Sequence, residues 1–107
     1  MGRSMKRGEI RWYRFHVPDK KRPVVFLSRN SVLEYLGEVT VAPVTGTIRD
    51  IPSEVVLTQE DGVSKECAVN CDHLQTVVKS KLGGLLAVLS TEKLAQVSKA
   101  VRFALDV

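Results

Sequence analysis

The sequence predicts an α+β domain built on a small, strongly bent antiparallel sheet or barrel, closed by one C-terminal amphipathic helix. Short β-branched and apolar runs recur between Glu9 and Val78 with turn residues between them, and after Ser90 the apolar spacing changes to three and four. Strands do not alternate with helices, which removes a parallel βαβ sheet. With 107 residues, 44% of them hydrophobic and 26% charged, residues 1–107 make one domain with an ordinary core.

From Glu9 to Phe15, Ile10 and Trp12 point one way and Arg11 and Tyr13 the other, the period of a half-buried strand in which Trp12 belongs to the core. His16–Lys21 has loop composition, and Pro23–Ser28 is a continuous apolar run, expected as a central strand with Pro23 at its start. Val39–Val44, closed by Pro43, and Glu54–Thr58 are two further strands. A helical turn is expected over Arg29–Gly37, ending at the glycine. Asp61-Gly62 is a turn ahead of the short run Cys67–Val69, Thr76–Val78 adds a last short strand, and Gly83-Gly84 is expected to be a turn. In the C-terminal helix Leu94, Val97, Val101, Ala104 and Leu105 share one face; Ser90 is the N-cap, Glu92 suits the first turn, and Leu89 with Leu94 has the spacing of a hydrophobic staple.

Charge is unevenly distributed. Residues 1–30 hold nine Lys/Arg against Glu9 and Asp19, a net of +7, whereas the rest hold seven bases and ten acids, a net of −3. Such polarity suits a polyanion, nucleic acid above all, although a high pI is also common in small proteins without that role. The longest run free of charged and hydroxyl side chains, Leu82–Leu89, is too short for a membrane span, and the basic N-terminus has no apolar segment after it. A cytoplasmic protein without membrane contact is expected.

Most familiar chemistries find no support. Cys67, Cys71 and His73 are possible zinc ligands but lack the second ligand pair of a structural site; no metal is expected, and both cysteines are read as buried or partly buried thiols. His16 and His73 stand in no nucleophile motif, and no phosphate-binding glycine signature occurs, so no cofactor is expected. Polar residues at strand ends remain: Arg22 entering the second strand, and Thr45, Thr47 and Arg49 leaving the third. If those strands are neighbours, a guanidinium and a hydroxyl converge on one phosphate, an arrangement suited to cleaving RNA, whose 2′-OH is an internal nucleophile. Plain strand boundaries account for the same residues.

The runs Arg7-Gly8-Glu9-Ile10, Lys21-Arg22-Pro23-Val24-Val25-Phe26-Leu27-Ser28, Val41-Ala42-Pro43-Val44-Thr45, Glu54-Val55-Val56-Leu57 and Asp72-His73-Leu74-Gln75-Thr76 occur in this order. Together they resemble the MazF/PemK-type toxins of type II toxin–antitoxin systems, over about Lys6 to Leu105. The resemblance implies an SH3-like, CcdB-related barrel. It implies a homodimeric, sequence-specific and metal-independent endoribonuclease that leaves a 2′,3′-cyclic phosphate and a 5′-OH on single-stranded mRNA or other RNA, neutralised by a small cognate antitoxin. By the same resemblance the catalytic arginine and threonine are Arg22 and Thr45. RNA-binding residues are expected at His16, Lys20 and Lys21 in the basic loop, at Thr47 and Arg49, and at Asp72, Gln75 and Thr76. The first loop is shorter than in many relatives. The alternative is a non-catalytic CcdB-like inhibitor of a DNA topoisomerase, for which the Arg22–Thr45 pair has no use.

Overall fold

A computed structural model describes residues 5–15, 20–29 and 37–107, the side chains of Phe15 and Lys20 excepted. The described residues form seven antiparallel strands: β1 (Glu9–Phe15), β2 (Lys20–Phe26), β3 (Glu38–Thr45), β4 (Glu54–Leu57), β5 (Cys67–Asn70), β6 (Gln75–Val78) and β7 (Leu82–Val88), with helix α1 (Thr91–Leu105) behind them. The sheet order is β4-β5-β3-β2-β1-β7, and β6 joins it beside β3. The expected α+β architecture of a bent antiparallel sheet with one C-terminal helix is observed. The expected helical turn over Arg29–Gly37 lies mostly outside the described residues.

The continuous apolar runs have a simple cause: β2 and β3 are buried on both faces. Alternate residues enter different cores, Val25, Leu27, Ala42 and Val44 one of them and Val24, Phe26, Val39 and Val41 the other. The first core is completed by Ile10, Leu57, Val69 and the helix residues Val97 and Ala100, the second by Val77 and Leu82. Each buried Val, Leu or Phe contributes about 1.5–3 kcal/mol of transfer free energy.

β3 is the hub. Residues 38–41 pair with β6 on one edge, Val44 and Thr45 pair with β5 farther along, and Val41–Pro43 pair with β2. Pro43, expected to close the strand, lies inside it, where β3 has left β6 and not yet met β5. Pro23 likewise falls inside β2, just past the point where pairing to β3 ends, so neither proline removes a needed ladder donor.

The second strand starts earlier than expected, since Lys20 and Lys21 pair with Phe15 and Arg14. A whole strand, β7, replaces the turn expected at Gly83-Gly84. Its register to β1 is interrupted by shifts at Ile10/Arg11 and Arg11/Tyr13, and Gly83 lies so near that an added Cβ would stand 3.4 Å from the Trp12 Cβ and carbonyl oxygen.

Across the gap between the edge strands, the connection from β4 to β5 reaches β7. Thr58 and Asp61 form a capping box over the turn Gln59–Asp61, and Gly62 follows at φ 98° with its open Cβ direction 2.9 Å from the Ala87 Cβ. Only glycine supplies both the left-handed backbone and the approach there.

Helix α1 starts as its sequence signals, with Ser90 Oγ accepting the Lys93 N–H (3.1 Å) and Leu89 and Leu94 in one cluster. Leu105, expected on the buried face, is 55% exposed, and Ala100 is buried in the stripe. Two basic side chains tie the helix down: Lys93 Nζ donates to the Val56 carbonyl (3.2 Å), and the Arg7 guanidinium donates to the Leu27 carbonyl and to Ser98 Oγ (2.9 Å). Arg11 is engaged as well, with Glu9 (2.9 Å) and the Gly83 carbonyl (3.0 Å). Part of the N-terminal positive charge therefore serves the fold.

Candidate active site

β2 and β3 are neighbours, as the strand-end argument requires. The last couple between them is Val24↔Pro43, and Arg22 and Thr45 each lie two residues beyond it at the same end of the two strands, where Arg22 pairs with Tyr13 of β1 and Thr45 with Ala68 of β5. Strand alternation gives Arg22 the face of Val24 and Thr45 the face of Pro43, a couple that shares one side, so both side chains are directed to that side where the β2–β3 pairing ends. The Arg22 side chain is exposed and makes no ion pair or hydrogen bond with another described residue, which leaves its fork of donors to solvent. Thr45 is half-buried, and its Oγ1 accepts the Thr47 N–H (3.1 Å). That bond occupies a lone pair and leaves the hydroxyl proton to donate outward. A guanidinium and a hydroxyl donor, both held on strands, are the donor types suited to binding a phosphate.

Beside the pair the first core opens to the surface in a cavity of about 230 Å³, bordered by Trp12, Pro23, Thr45, Gly46, Glu66 and Cys67 among others. Trp12, expected in the core, belongs to neither buried cluster. It is half-buried at the cavity wall, and the Lys21 ammonium stands 5.5 Å from its ring centroid. Tyr13, on the opposite face of β1, packs against the second core.

The other expected site residues separate into groups. Lys21 and Thr47 lie next to the pair, Lys20 is placed by its backbone in β2, and His16 lies outside the described residues. Arg49 donates from its guanidinium (3.0 Å) and backbone N–H (2.9 Å) to the buried carboxylate of Glu54, while half of its side chain stays exposed. Asp72 accepts from Ser53 Oγ, and its N–H donates to Asn70 Oδ1 (3.0 Å), so it organises the turn Cys71–His73. Gln75 and Thr76 are exposed on β6 opposite Val41 and Thr40. They therefore stand about 13–17 Å from Thr45 along β3, on the scale of a bound strand rather than of one phosphate.

No group of three or more His, Cys, Asp or Glu among the described residues is arranged to hold a metal ion. His73 is exposed, with Nδ1 2.7 Å from Asn70 Nδ2. Cys67 is half-buried and Cys71 buried, as expected. Burial pushes the Cys71 thiol up to about 11, and the carboxylates of Asp72 and Glu54 add to it; burial and then Asp61 raise Cys67. In the unfolded chain the Cys71 thiol ionises near its ordinary value of 9.0. The folded state thus retains a proton that the unfolded state has lost, and stability should fall as pH rises from about 9 to about 11. Thermal melts across this range should show the decline in the parent protein and a weaker one in Cys71→Ala.

Residues 6–105 match the family model described as PemK-like, MazF-like toxin of type II toxin–antitoxin system. The chain is 35% identical over 88 residues to a Mycobacterium tuberculosis protein named endoribonuclease MazF3, covering 82% of this chain and 85% of that one. Its fold superposes on the Mycobacterium tuberculosis toxin MazF-mt6 with a TM-score of 0.84 at 31% identity, covering 92% and 97% of the two chains. A MazE–MazF crystal structure from Deinococcus radiodurans aligns with a TM-score of 0.83 at 26% identity, covering 98% and 99%.

Proposed function

The chain belongs to the PemK-like, MazF-like toxin family of type II toxin–antitoxin systems, and from this premise we propose how its site works. The protein is an endoribonuclease toxin whose family match spans residues 6–105, and we read residues 1–107 as one toxin domain. Its substrate is single-stranded RNA, mRNA in the first place, and its partner is a cognate antitoxin, as in the MazE–MazF structure it resembles.

The observation that supports the mechanism is that Arg22 and Thr45 follow the last β2–β3 couple, Val24↔Pro43, at the same end of two neighbouring strands. In this reading the two side chains grip the non-bridging oxygens of one phosphodiester. The neighbouring 2′-OH attacks phosphorus, the 5′ oxygen leaves, and the products carry a 2′,3′-cyclic phosphate and a 5′-OH. Negative charge builds on the phosphoryl oxygens during this step, and fixed donors already aimed at them need little reorganisation. Since the nucleophile belongs to the substrate, the enzyme's main task is to hold the attacking oxygen in line, and no metal-bound water is required. Lys20, Lys21, Thr47 and Arg49 extend the contact along the backbone, together with His16, and Asp72, Gln75 and Thr76 meet the strand farther along β3.

The protein works as a homodimer in the cytoplasm. Among the described residues no helix is long and apolar enough to cross a membrane. The exposed apolar residues Leu85 and Val88 on β7 and Phe103 and Leu105 on α1 are surfaces for a second copy or for the antitoxin. A CcdB-like topoisomerase inhibitor is not favoured, because the curated relatives are named endoribonucleases. The test is cleavage of a long unstructured RNA by purified protein in EDTA, with end analysis. The expected result is cutting at a recurrent short sequence with cyclic phosphate and 5′-OH ends; 3′-OH ends, or a strict requirement for added metal, would overturn the mechanism.

A further inference from the structure

We propose that the cavity bordered by Trp12 and Thr45 receives one unpaired base of the RNA next to the scissile phosphate, and that Lys65 and Glu66 on its rim select that base. This deepens the ribonuclease reading and rests on it.

Position comes first. Thr45 borders the cavity and belongs to the phosphate pair, while Pro23, adjacent to Arg22, borders it from β2. Strand alternation directs Pro23 and Val44 to one face of the sheet end and Arg22 and Thr45 to the other, so a nucleotide gripped at its phosphate lays its base across this end.

Size and chemistry agree. About 230 Å³ is below the roughly 300–1,000 Å³ of pockets for drug-sized ligands and several times the ~30 Å³ share of one water, the class of a single flat heterocycle. Val44, Val63 and Leu86 make the lining apolar, and the Trp12 indole supplies a flat π-face at the wall. A base stacked on an aromatic ring gains about 1–3 kcal/mol whatever its identity. The Lys21 ammonium near the same ring adds positive charge where the backbone of that nucleotide must pass.

The rim is built to discriminate. Lys65 and Glu66 are exposed and make no ion pair or hydrogen bond with another described residue, so both are available to a ligand. The connection that carries them is braced by the Thr58–Asp61 capping box and by Gln59 Nε2 donating to the Ser64 carbonyl (3.0 Å). An unpaired base offers its whole Watson–Crick edge. A carboxylate there accepts from an exocyclic amine or ring N–H, and an ammonium donates to a carbonyl or ring nitrogen.

Abasic scanning of an RNA substrate tests this, with cleavage and fluorescence as readouts; Trp12 is the only tryptophan in the chain. One abasic position flanking the cut should lower kcat/KM of the parent protein about 5- to 150-fold. It should lower that of Trp12→Ala by less than about 2-fold, because the two losses report one contact. Trp12→Phe should retain most of the parent rate. Lys65→Ala and Glu66→Ala, both at exposed positions, should alter base preference at this nucleotide and at no other. An intact RNA blocked by 2′-O-methylation at the attacking hydroxyl should quench Trp12 fluorescence, and the abasic form should not. Equal abasic penalties in parent and Trp12→Ala at every position would overturn the proposal and leave the ribonuclease reading standing. So would quenching by an antitoxin peptide but not by RNA. A parent protein that cuts no RNA would overturn both.

Discussion

Arg22→Ala is expected to lower the rate of RNA cleavage about 10³-fold while leaving the fold intact. Removing one preorganised donor from developing oxyanion charge costs about 10²–10³ in rate, and a guanidinium on a phosphoryl group in transfer is worth about 10³–10⁵. The loss should appear mainly in kcat, since the interaction strengthens as charge builds on the phosphate. Arg22→Lys keeps the charge but not the planar fork and should recover only part of the rate. Thr45→Val removes the hydroxyl at similar volume and should cost about 10²-fold, whereas Thr45→Ser should stay close to the parent. The Arg22 side chain is exposed and contacts no other described residue by hydrogen bond or ion pair, so the melting temperature of the variant should barely move. Single-turnover cleavage beside thermal melts separates these effects. An Arg22→Ala protein cutting within threefold of the parent would place the chemistry elsewhere.

The second large effect falls on stability. Phe26 is fully buried in the second core among Val24, Val39, Val41, Val77 and Leu82. Phe26→Ala leaves a cavity that costs about 3–5 kcal/mol. Small domains have about 5–15 kcal/mol in all, so this variant should lose most of its margin and melt well over 10 °C lower. Phe103→Ala, also on an apolar residue but one that is 60% exposed, should change stability by no more than about 0.5 kcal/mol. Urea unfolding of the two variants, compared at equal m-value, measures the contrast directly.

Much of this architecture was legible from local chemistry. β1 could be placed from its alternation, β2 to β6 from their apolar runs, and α1 from its cap and spacing, because each signal is the cause of the element it marks. β7 was hidden for a physical reason: its two glycines carry no strand preference and its register shifts erase alternation, so only pairing with β1 reveals it. Trp12 was misplaced because alternation was read as one buried face, whereas the sheet buries both and Tyr13 occupies the second. Arg22 and Thr45 could be picked out as polar residues near strand boundaries, and the β2–β3 pairing that brings the same ends of their strands together is a property of the fold. Lys65 and Glu66 carried no local signal, since only tertiary structure brings their connection to the mouth of the cavity. Arg7 and Arg11 looked like any other base in a positive segment until their carbonyl partners appeared.

The double burial of β2 and β3 also affects how the enzyme keeps its alignment. In a sheet with one wet face, a one-residue slip throws apolar side chains into water and is strongly opposed. Val24, Val25, Phe26 and Leu27 are apolar at every step, so a slipped β2 would still fill both cores with hydrocarbon. The same slip would move Arg22 off Thr45. Alignment must therefore come from directional bonds, and the clearest sit at the far end of the pair: the Leu27 N–H on the Thr40 carbonyl (2.9 Å) and the Thr40 N–H on Ser28 Oγ (2.9 Å). Ser28 lies about 20 Å along the strand from Arg22 and touches no substrate in this reading. Its hydroxyl nonetheless acts as the index mark against which the two halves of the proposed phosphate grip are set, so in that proposal catalytic fidelity is written partly into a residue remote from the chemistry.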